Sequence, residues 1–384
     1  MSWPEIELTE EGMREGMQIE GVEISVADKI RLIDALSETG LKRIDVGSFV
    51  SPRWTPQMSD TDAIVSGFTP KAGVTYTALA LNDRGRERAM VYQPKITIDE
   101  RRPTLECHLC DVFVQRNSNR TRADEVASWP AVVARAVKCG ATTVGIGVNA
   151  AWGSNWVGPF SDQDRMYWLE QQYTLWSEAG LTVSSVFLGD PMSWNMPHVI
   201  ERQLELLCTT WPQIKEIELH LHNARGMALT SIFAAMRVLD DSYKLRIDTA
   251  IGGMGGCPYC GNGRVAGMAP TEDVVQMLLE MDIDLGINLK RLVEVVWMTE
   301  EVVGHRLWGR VSKAGPLPGA DDLYPMDLPF IETEEQARHF LLGKSALGES
   351  PLSPWSKPIA SPQRDAVERQ RCGSPEGQMD GAAS

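Results

Sequence analysis

Residues 37–46 read SETGLKRIDV. A polar helix tail, a glycine and an alternating apolar run follow one another with no loop between them. Glycine suits the left-handed residue that ends a helix, and Ile44 and Val46 alternate with Arg43 and Asp45 as a strand requires. The same punctuation returns in VKCGATTVGI (137–146) and SEAGLTVSSV (177–186). Helices that feed strands this directly build parallel βα units.

Outward from these junctions, eight strand candidates stand out: EIELT (5–9), RIDVGSF (43–49), GVTYTALAL (73–81), TLECHL (104–109), TVGIGV (143–148), LTVSSVFL (181–188), EIELHLH (216–222) and LRIDTAI (245–251). Helical runs lie between them at 26–39, 60–67, 83–91, 122–139, 162–179, 197–210 and 226–240, and TEDVVQMLLEMD (271–282) follows the last strand with an acidic first turn. Eight such units predict an α/β fold, a (β/α)8 TIM barrel, with a doubly wound open sheet as the competitor. The connection 92–103 is longer than an ordinary αβ loop. Residues 284–312 read as further helix. We expect a catalytic barrel over 1–312, a C-terminal extension over 313–349 containing one helical piece (333–343), and a Pro/Ser/Gly-rich disordered tail over 350–384.

The chain has 384 residues, 43% of them hydrophobic, and a formal net charge of −15. That acidity argues against nucleic acid and against an anionic membrane surface as partners. No run approaches the ~20 apolar residues of a membrane span, and the acidic N-terminus lacks the features of a signal or transit peptide. Seven cysteines, an odd and scattered set, suit a reduced cytoplasmic enzyme.

A parallel barrel keeps its chemistry at the C-terminal ends of its strands. The first strand leads there into Glu10, Glu11, Arg14, Glu15 and Gln18, the second carries Asp45 and Ser48, and the third ends at Asn82. The fourth carries His108, the sixth ends at Asp190, and the seventh carries His220, His222 and Asn223. Strand residues i and i+2 share a face, so His220 and His222 project together while Leu219 and Leu221 face the helices. Two same-face imidazoles with a carboxylate from another strand suit a divalent metal. The competing reading is a pair of hydrogen-bonded core histidines.

EGMREGMQIE (11–20), DVGSFVSPRWTPQM (45–58), FVQRNSN (113–119), GDPMSWNMP (189–197), HLHNARGMAL (220–229) and IGGMGGCPYCGNGRVAGMAPTEDVV (251–275) together resemble the 3-hydroxy-3-methylglutaryl-CoA lyase family. That family sits in a wider metal-dependent TIM-barrel group with isopropylmalate and homocitrate synthases. The resemblance spans residues 4 to 300. It implies Arg14 as the catalytic arginine and Glu15, His220 and His222 as ligands of Mg²⁺ or Mn²⁺. Asp45, Asp190 and Cys257 fall on its other catalytic positions, and Gln18, His108 and Asn82 near the substrate. Lyases usually carry Asp where this chain has Glu15. The family's fourth ligand, an Asn before T-E-D, is Met268 here, so that either water or substrate fills the position or Asn262 reaches in, with Asn223 as a weaker substitute.

The activity implied is cleavage of a 3-hydroxy-3-substituted-glutaryl-CoA-type thioester to acetyl-CoA and a keto acid. The alternative is the reverse-type condensation of acetyl-CoA with a 2-keto acid, and a third reading is a metal-poor scaffold. An acyl-CoA substrate and a homodimer follow from the same resemblance. Two further motifs remain. Cys107–Cys110 and Cys257–Cys260 have zinc-like spacing, but strand residues i and i+3 face opposite sides, which argues against a four-thiol site. A redox pair of Cys257 with Cys260 stays open. Trp152, Trp156 and Trp194 fall in the loops after strands five and six, either as packing or as the lining of a pocket for a bulkier substrate.

Overall fold

The structure, a computed structural model, describes residues 2–53, 55–80, 83–97, 102–257, 260, 267–319 and 323. Its eight parallel strands are β1 (Glu5–Glu10), β2 (Arg43–Ser48), β3 (Thr75–Leu79), β4 (Thr104–His108), β5 (Thr143–Asn149), β6 (Thr182–Asp190), β7 (Glu216–Leu221) and β8 (Lys244–Thr249). Their hydrogen-bonded order is β3-β2-β1-β8-β7-β6-β5-β4. The deciding pair is β1 on β8, in register from Glu5 on Lys244 to Glu10 on Thr249. A doubly wound sheet starts in its middle and does not join first strand to last. This order is the ring of a TIM barrel, curled and opened at one seam between β3 and β4.

At the seam each edge finds other partners, because unpaired strand groups buried from water are costly. Thr97 bridges to Thr77 on β3. The edge of β4 is met by the helix α5 (Arg122–Lys138). Trp129 Nε1 donates to the carbonyl of Glu106 at 3.0 Å, His108 N–H donates to the Glu125 carboxylate at 3.2 Å, and Arg122 donates to the carbonyl of Leu109 at 3.1 Å. The long 92–103 connection therefore runs beside β3 at Thr97 before leading into β4, and residues 98–101 lie outside the described residues.

The other helices are α1 (Val26–Ser37), α2 (Thr61–Gly67), α3 (Asp83–Met90), α4 (Asp111–Ser118), α6 (Asp162–Glu178), α7 (Pro197–Thr210), α8 (Ala228–Val238), α9 (Thr271–Glu280) and α10 (Leu289–Val303). Their starts are chemically marked. The Ser25 hydroxyl accepts the Asp28 N–H to begin α1, and Thr121 with Asp124 and Ser161 with Asp164 form capping boxes on α5 and α6. Gly40, read as the helix stop in the first quoted stretch, has φ +98°, and a Cβ there would sit 2.2 Å from the carbonyl oxygen of Gly286. Only glycine fits that turn.

Helix α4 does not follow from periodicity. It is eight residues long, and its N-cap is Cys110, whose Sγ accepts the Phe113 N–H, in place of the Ser, Thr, Asp or Asn that usually signals a start. The expected helix over 284–312 is shorter. α10 ends at Gly304 in the left-handed region, and a one-turn piece, Val311–Ala314, follows. The helical piece at 333–343 and the tail at 350–384 lie outside the described residues.

The strand alternation sorts the chemistry. Leu8, Ile44, Val46, Ile217, Leu219, Leu221, Leu245 and Ile247 are buried and join one apolar cluster with the helices. The opposite parity points into the barrel. At its lower end Glu7 pairs with Lys244 at 2.5 Å, Arg246 at 3.3 Å and Arg43 at 3.4 Å, and Glu216 pairs with Arg246 and Arg102. These charges fill the bottom and leave the upper end for the site. The chain divides into two compact units, Met1–Ser312 and Lys313–Ser384. Among the described residues no helix is long and apolar enough to cross a membrane.

Candidate active site and metal centre

Strand β1 ends in Glu10, a fully buried carboxylate. Its Oε1 accepts the N–H groups of Gly12 at 2.8 Å and Ile251 at 2.9 Å, and Oε2 accepts the Thr271 hydroxyl. Burial pushes its carboxyl up to about 7. This residue staples the end of β1 to the loop after β8. After Glu11, the five residues Gly12–Gly16 make a single π-helical turn, a form that often marks functional positions. The turn aims Arg14 and Glu15 at the barrel mouth.

Arg14 is held by three carboxylates. Nη1 lies 2.7 Å from Glu15 Oε2, Nε lies 3.3 Å from Asp45 Oδ2, and Nη2 pairs with Glu11. Gln18 Nε2 donates to Glu15 Oε2 at 2.6 Å. Burial alone would raise the Glu15 carboxyl, but Arg14 and then the two histidines more than offset it and hold it below the ordinary carboxylate value. Glu15 is therefore an anion facing the imidazoles.

Across the mouth, the His220 and His222 rings are 5.3 Å apart, centroid to centroid. His222 Nε2 is 3.7 Å from Glu15 Oε1, too long for a hydrogen bond. Burial, against the pull of Glu15, drives the His222 imidazolium down to about 4, so the ring is neutral near pH 7. Its buried Nδ1 has no hydrogen-bond partner among the described residues. His220 Nδ1 is 2.9 Å from Asp248 Oδ2, the carboxylate–histidine arrangement that leaves Nε2 for an ion. Ligand atoms of Glu11, His220 and Asp248 also lie within 4.8 Å of one another. Paired imidazoles and buried carboxylates of this kind suit a divalent cation.

The structure thus brings Arg14, Glu15, Gln18, Asp45, His220 and His222 together. Asp190 stands behind them, fully buried. Its Oδ2 accepts from the backbone and side-chain nitrogens of Asn195 at 2.6 and 2.7 Å, its carbonyl accepts the His222 N–H at 3.3 Å, and burial raises its carboxyl. Cys257 is half-buried on the loop after β8. The chain leading to it passes close to Glu15, since a Cβ on Gly255 would lie 3.3 Å from Glu15 Cγ.

His108 is not in this group. Its Nδ1 is 2.8 Å from Glu125 of α5, and its ring packs on Phe113. Its place next to the open seam draws it away from the imidazole pair. Asn223 is also turned elsewhere, with Oδ1 accepting the Ala228 N–H at 3.1 Å at the start of α8. Asn82 and Asn262 lie outside the described residues. Met268 is fully buried and bridges to His222 through its backbone. Cys107 and Cys110 fall in separate apolar clusters, as the opposite-face argument expects. Two residues of the centre escaped the sequence reading. Asp248 carried one usable signal, an acid of inward parity near the end of the last strand. Glu11 was visible at the rim, but nothing in its spacing distinguished it from its acidic neighbours.

A parallel barrel whose mouth sets an arginine among carboxylates beside two imidazoles defines a TIM-barrel enzyme of the metal-dependent carbon–carbon lyase class. The family described as HMGL-like matches residues 5–298, and the chain belongs to it. It is 33% identical over 313 residues to hydroxymethylglutaryl-CoA lyase YngG of Bacillus subtilis, covering 81% of this chain and 97% of that one. It is 30% identical over 309 residues to the 3-hydroxy-3-isohexenylglutaryl-CoA/hydroxy-methylglutaryl-CoA lyase of Pseudomonas aeruginosa, covering 80% and 96%. The solved structure of an HMG-CoA lyase from Acinetobacter baumannii, in complex with coenzyme A and 3-methylmalate, superposes with a TM-score of 0.66 at 27% identity, covering 85% of this chain and 98% of that one.

Proposed function

We propose that the chain cleaves a 3-hydroxy-3-substituted-glutaryl-CoA-type thioester into acetyl-CoA and a keto acid. The observation that carries this reading is the chain of neighbours at the barrel mouth, in which Arg14 pairs with Glu15, Glu15 faces His222, and the His222 ring lies beside that of His220. Relatives that are lyases across nearly their whole length favour this direction over condensation with a keto acid. The acyl-CoA assignment draws on the same relatives and on the coenzyme A complex.

Glu15, His220 and His222 would hold a divalent ion, Mg²⁺ or Mn²⁺, with Asp248 fixing the His220 ring. Such an ion supplies Lewis-acid polarisation of the substrate's hydroxyl and carbonyl oxygens. Arg14 places a permanent charge and a planar fork where the thioester enolate oxygen develops. Asp45 and Glu11 keep that fork oriented. Asp190, whose Oδ1 is buried without a partner among the described residues, takes the hydroxyl proton as the C–C bond breaks. Cys257 returns a proton to the acetyl carbon. The proton lost from oxygen and the proton gained by carbon balance.

We assign the catalysis to residues 1–312, with 313–349 as an extension and 350–384 as a tail. Cys107, Cys110, Cys139, Cys208, Cys257 and Cys260 are all free thiols, in keeping with a cytoplasmic enzyme. A homodimer is carried over from the resemblance. The test is a set of acyl-CoA thioesters incubated with and without Mg²⁺ or Mn²⁺, with products identified by mass spectrometry. Cation-dependent acetyl-CoA and a keto acid are expected. Free CoA released from acetyl-CoA plus a 2-keto acid would instead establish the condensing enzyme.

A further inference from the structure

We propose that Asn155 is the positioning residue for Cys257, and that Trp194 and Arg225 aim it. This deepens the functional reading above and rests on its assignment of Cys257. Asn155 follows Ser154 in a two-stranded ribbon, Gly153–Ser154 with Gly158–Pro159, that rises from the end of β5. Its side chain is a relay with separate ends. Nδ2 donates to the carbonyl of Cys260 at 2.7 Å. Oδ1 accepts from Trp194 Nε1 at 3.0 Å and from Arg225 Nη2 at 3.2 Å.

Both donors are themselves fixed. Arg225 Nη1 is committed to the carbonyls of Met192 and Ser193 at 2.8 and 3.0 Å, and its guanidinium lies 5.8 Å from the Trp194 ring centroid. The indole packs against Gly153, where a Cβ would come within 2.4 Å of the ring. The amide of Asn155 therefore has one orientation that satisfies both of its ends.

That orientation reaches the thiol through a turn. The Cys260 N–H donates to the carbonyl of Cys257 at 3.0 Å, so holding Cys260 holds Cys257. The Cys260 side chain is fully buried beside Cys110, Phe113, Ala150 and Met192, while Cys257 stays half-buried above this cluster. Cys110 is in turn 3.0 Å from the Ser154 hydroxyl. Among the described residues, Cys260 is thus pinned by this apolar socket and by the side-chain hydrogen bond from Asn155. Cys257 is the less buried end, packed against the edge of that socket.

The experiment compares the full-length protein with Asn155→Asp, which keeps the oxygen acceptor and loses the donor to Cys260, with Asn155→Ala, and with Trp194→Phe, which keeps a ring on Gly153 and loses the indole donor. Alkylation of Cys257 by iodoacetamide is followed by peptide mass spectrometry, with the exposed Cys139 as internal reference. In both Asn155 variants the Cys257 rate relative to Cys139 is expected to rise about fivefold, as a local tether is lost, with a smaller rise in Trp194→Phe. In the lyase assay kcat is expected to fall about tenfold with KM within about twofold, the rate equivalent of one hydrogen bond. An unchanged Cys257 rate in well-folded Asn155→Asp and Asn155→Ala overturns the proposal. Lyase activity missing from the parent protein would overturn the functional reading alone, because the labelling arm does not depend on turnover.

Discussion

Oε1 of Glu15 stands 3.7 Å from Nε2 of His222 across the barrel mouth. One residue sits in the π-helical turn after the first strand and the other just beyond the end of the seventh. Both side chains are buried, and no ordinary hydrogen bond accounts for their approach. If they share an ion, Glu15→Gln and His222→Ala each weaken Mn²⁺ binding at least ~tenfold, since even the loss of an outer partner weakens metal sites by that factor. Titration calorimetry and elemental analysis of dialysed protein read this. Unchanged metal content in both variants would remove the ligand assignment.

If His220 holds an ion, Asp248 would act on it through that ring. Its Oδ2 lies 2.9 Å from Nδ1 of that ring. Asp248→Asn keeps the shape but loses the charge that fixes the imidazole tautomer. We expect affinity for Mn²⁺ to drop by about 10- to 100-fold, with the fold intact by circular dichroism. Full affinity in this variant would mean that the ring needs no orienting anion.

Arg14 is surrounded by anions, so its geometry matters as well as its charge. Arg14→Lys keeps a cation but loses the planar fork that spans Glu11, Glu15 and Asp45. Steady-state kinetics are expected to show kcat reduced by about 10²- to 10³-fold, the scale of losing one oriented oxyanion donor, with metal content unchanged. Near-normal turnover in the lysine variant contradicts the role assigned to it.

Acid stability tests the charged floor of the barrel. Burial raises the Glu7 carboxyl, but the bond to Lys244 and the charges of Arg246, Lys244 and Arg43 outweigh it, and the group is held below its ordinary 4.5. A carboxylate lowered in the folded state contributes stability that is complete above the unfolded value. That contribution fades as pH falls through the lower, folded one. Glu7→Gln should therefore destabilise the protein at pH 7 and flatten the loss of stability below about pH 4.5, measured by urea unfolding across pH. An acid limb identical to that of the parent protein would exclude this linkage.

Arg165 secures the rim from outside. It is fully buried, with Nη1 donating to the carbonyls of Ala151 and Phe160, both at 3.0 Å, and Nε donating to Gln203 Oε1 at 2.5 Å. It thereby clamps both ends of the loop that carries the Asn155 ribbon. Arg165→Ala leaves the buried carbonyls and Gln203 without their donor and Asp162 with Arg202 alone, and should cost about 3 kcal/mol. Chemical denaturation checks this, and a loss under about 1 kcal/mol would show that water replaces the guanidinium without penalty.

Much of this protein was legible in the chain itself. The glycine stops at Gly40, Gly140 and Gly180, each at positive φ, marked where helices hand over to strands. Strand parity placed His220 and His222 on one face and Leu219 and Leu221 on the other. Helix α4 was not legible, because a thiol took the place of an ordinary cap. His108 has inward-facing parity, yet its ring is paired with Glu125 of α5. Parity fixes the side of a strand, but a neighbouring helix decides which partner the side chain meets.

The sequence by itself determined the βα alternation and which residues each strand carries to the mouth, because both depend on spacing along a few consecutive residues. Only the tertiary structure decided that β1 closes on β8, that Asp248 falls opposite His220, and that Asn155 reaches the carbonyl of Cys260. These relations join segments far apart in the chain. They are set by strand register and by which buried polar groups must find partners once the core has packed, and neither quantity has a local signature.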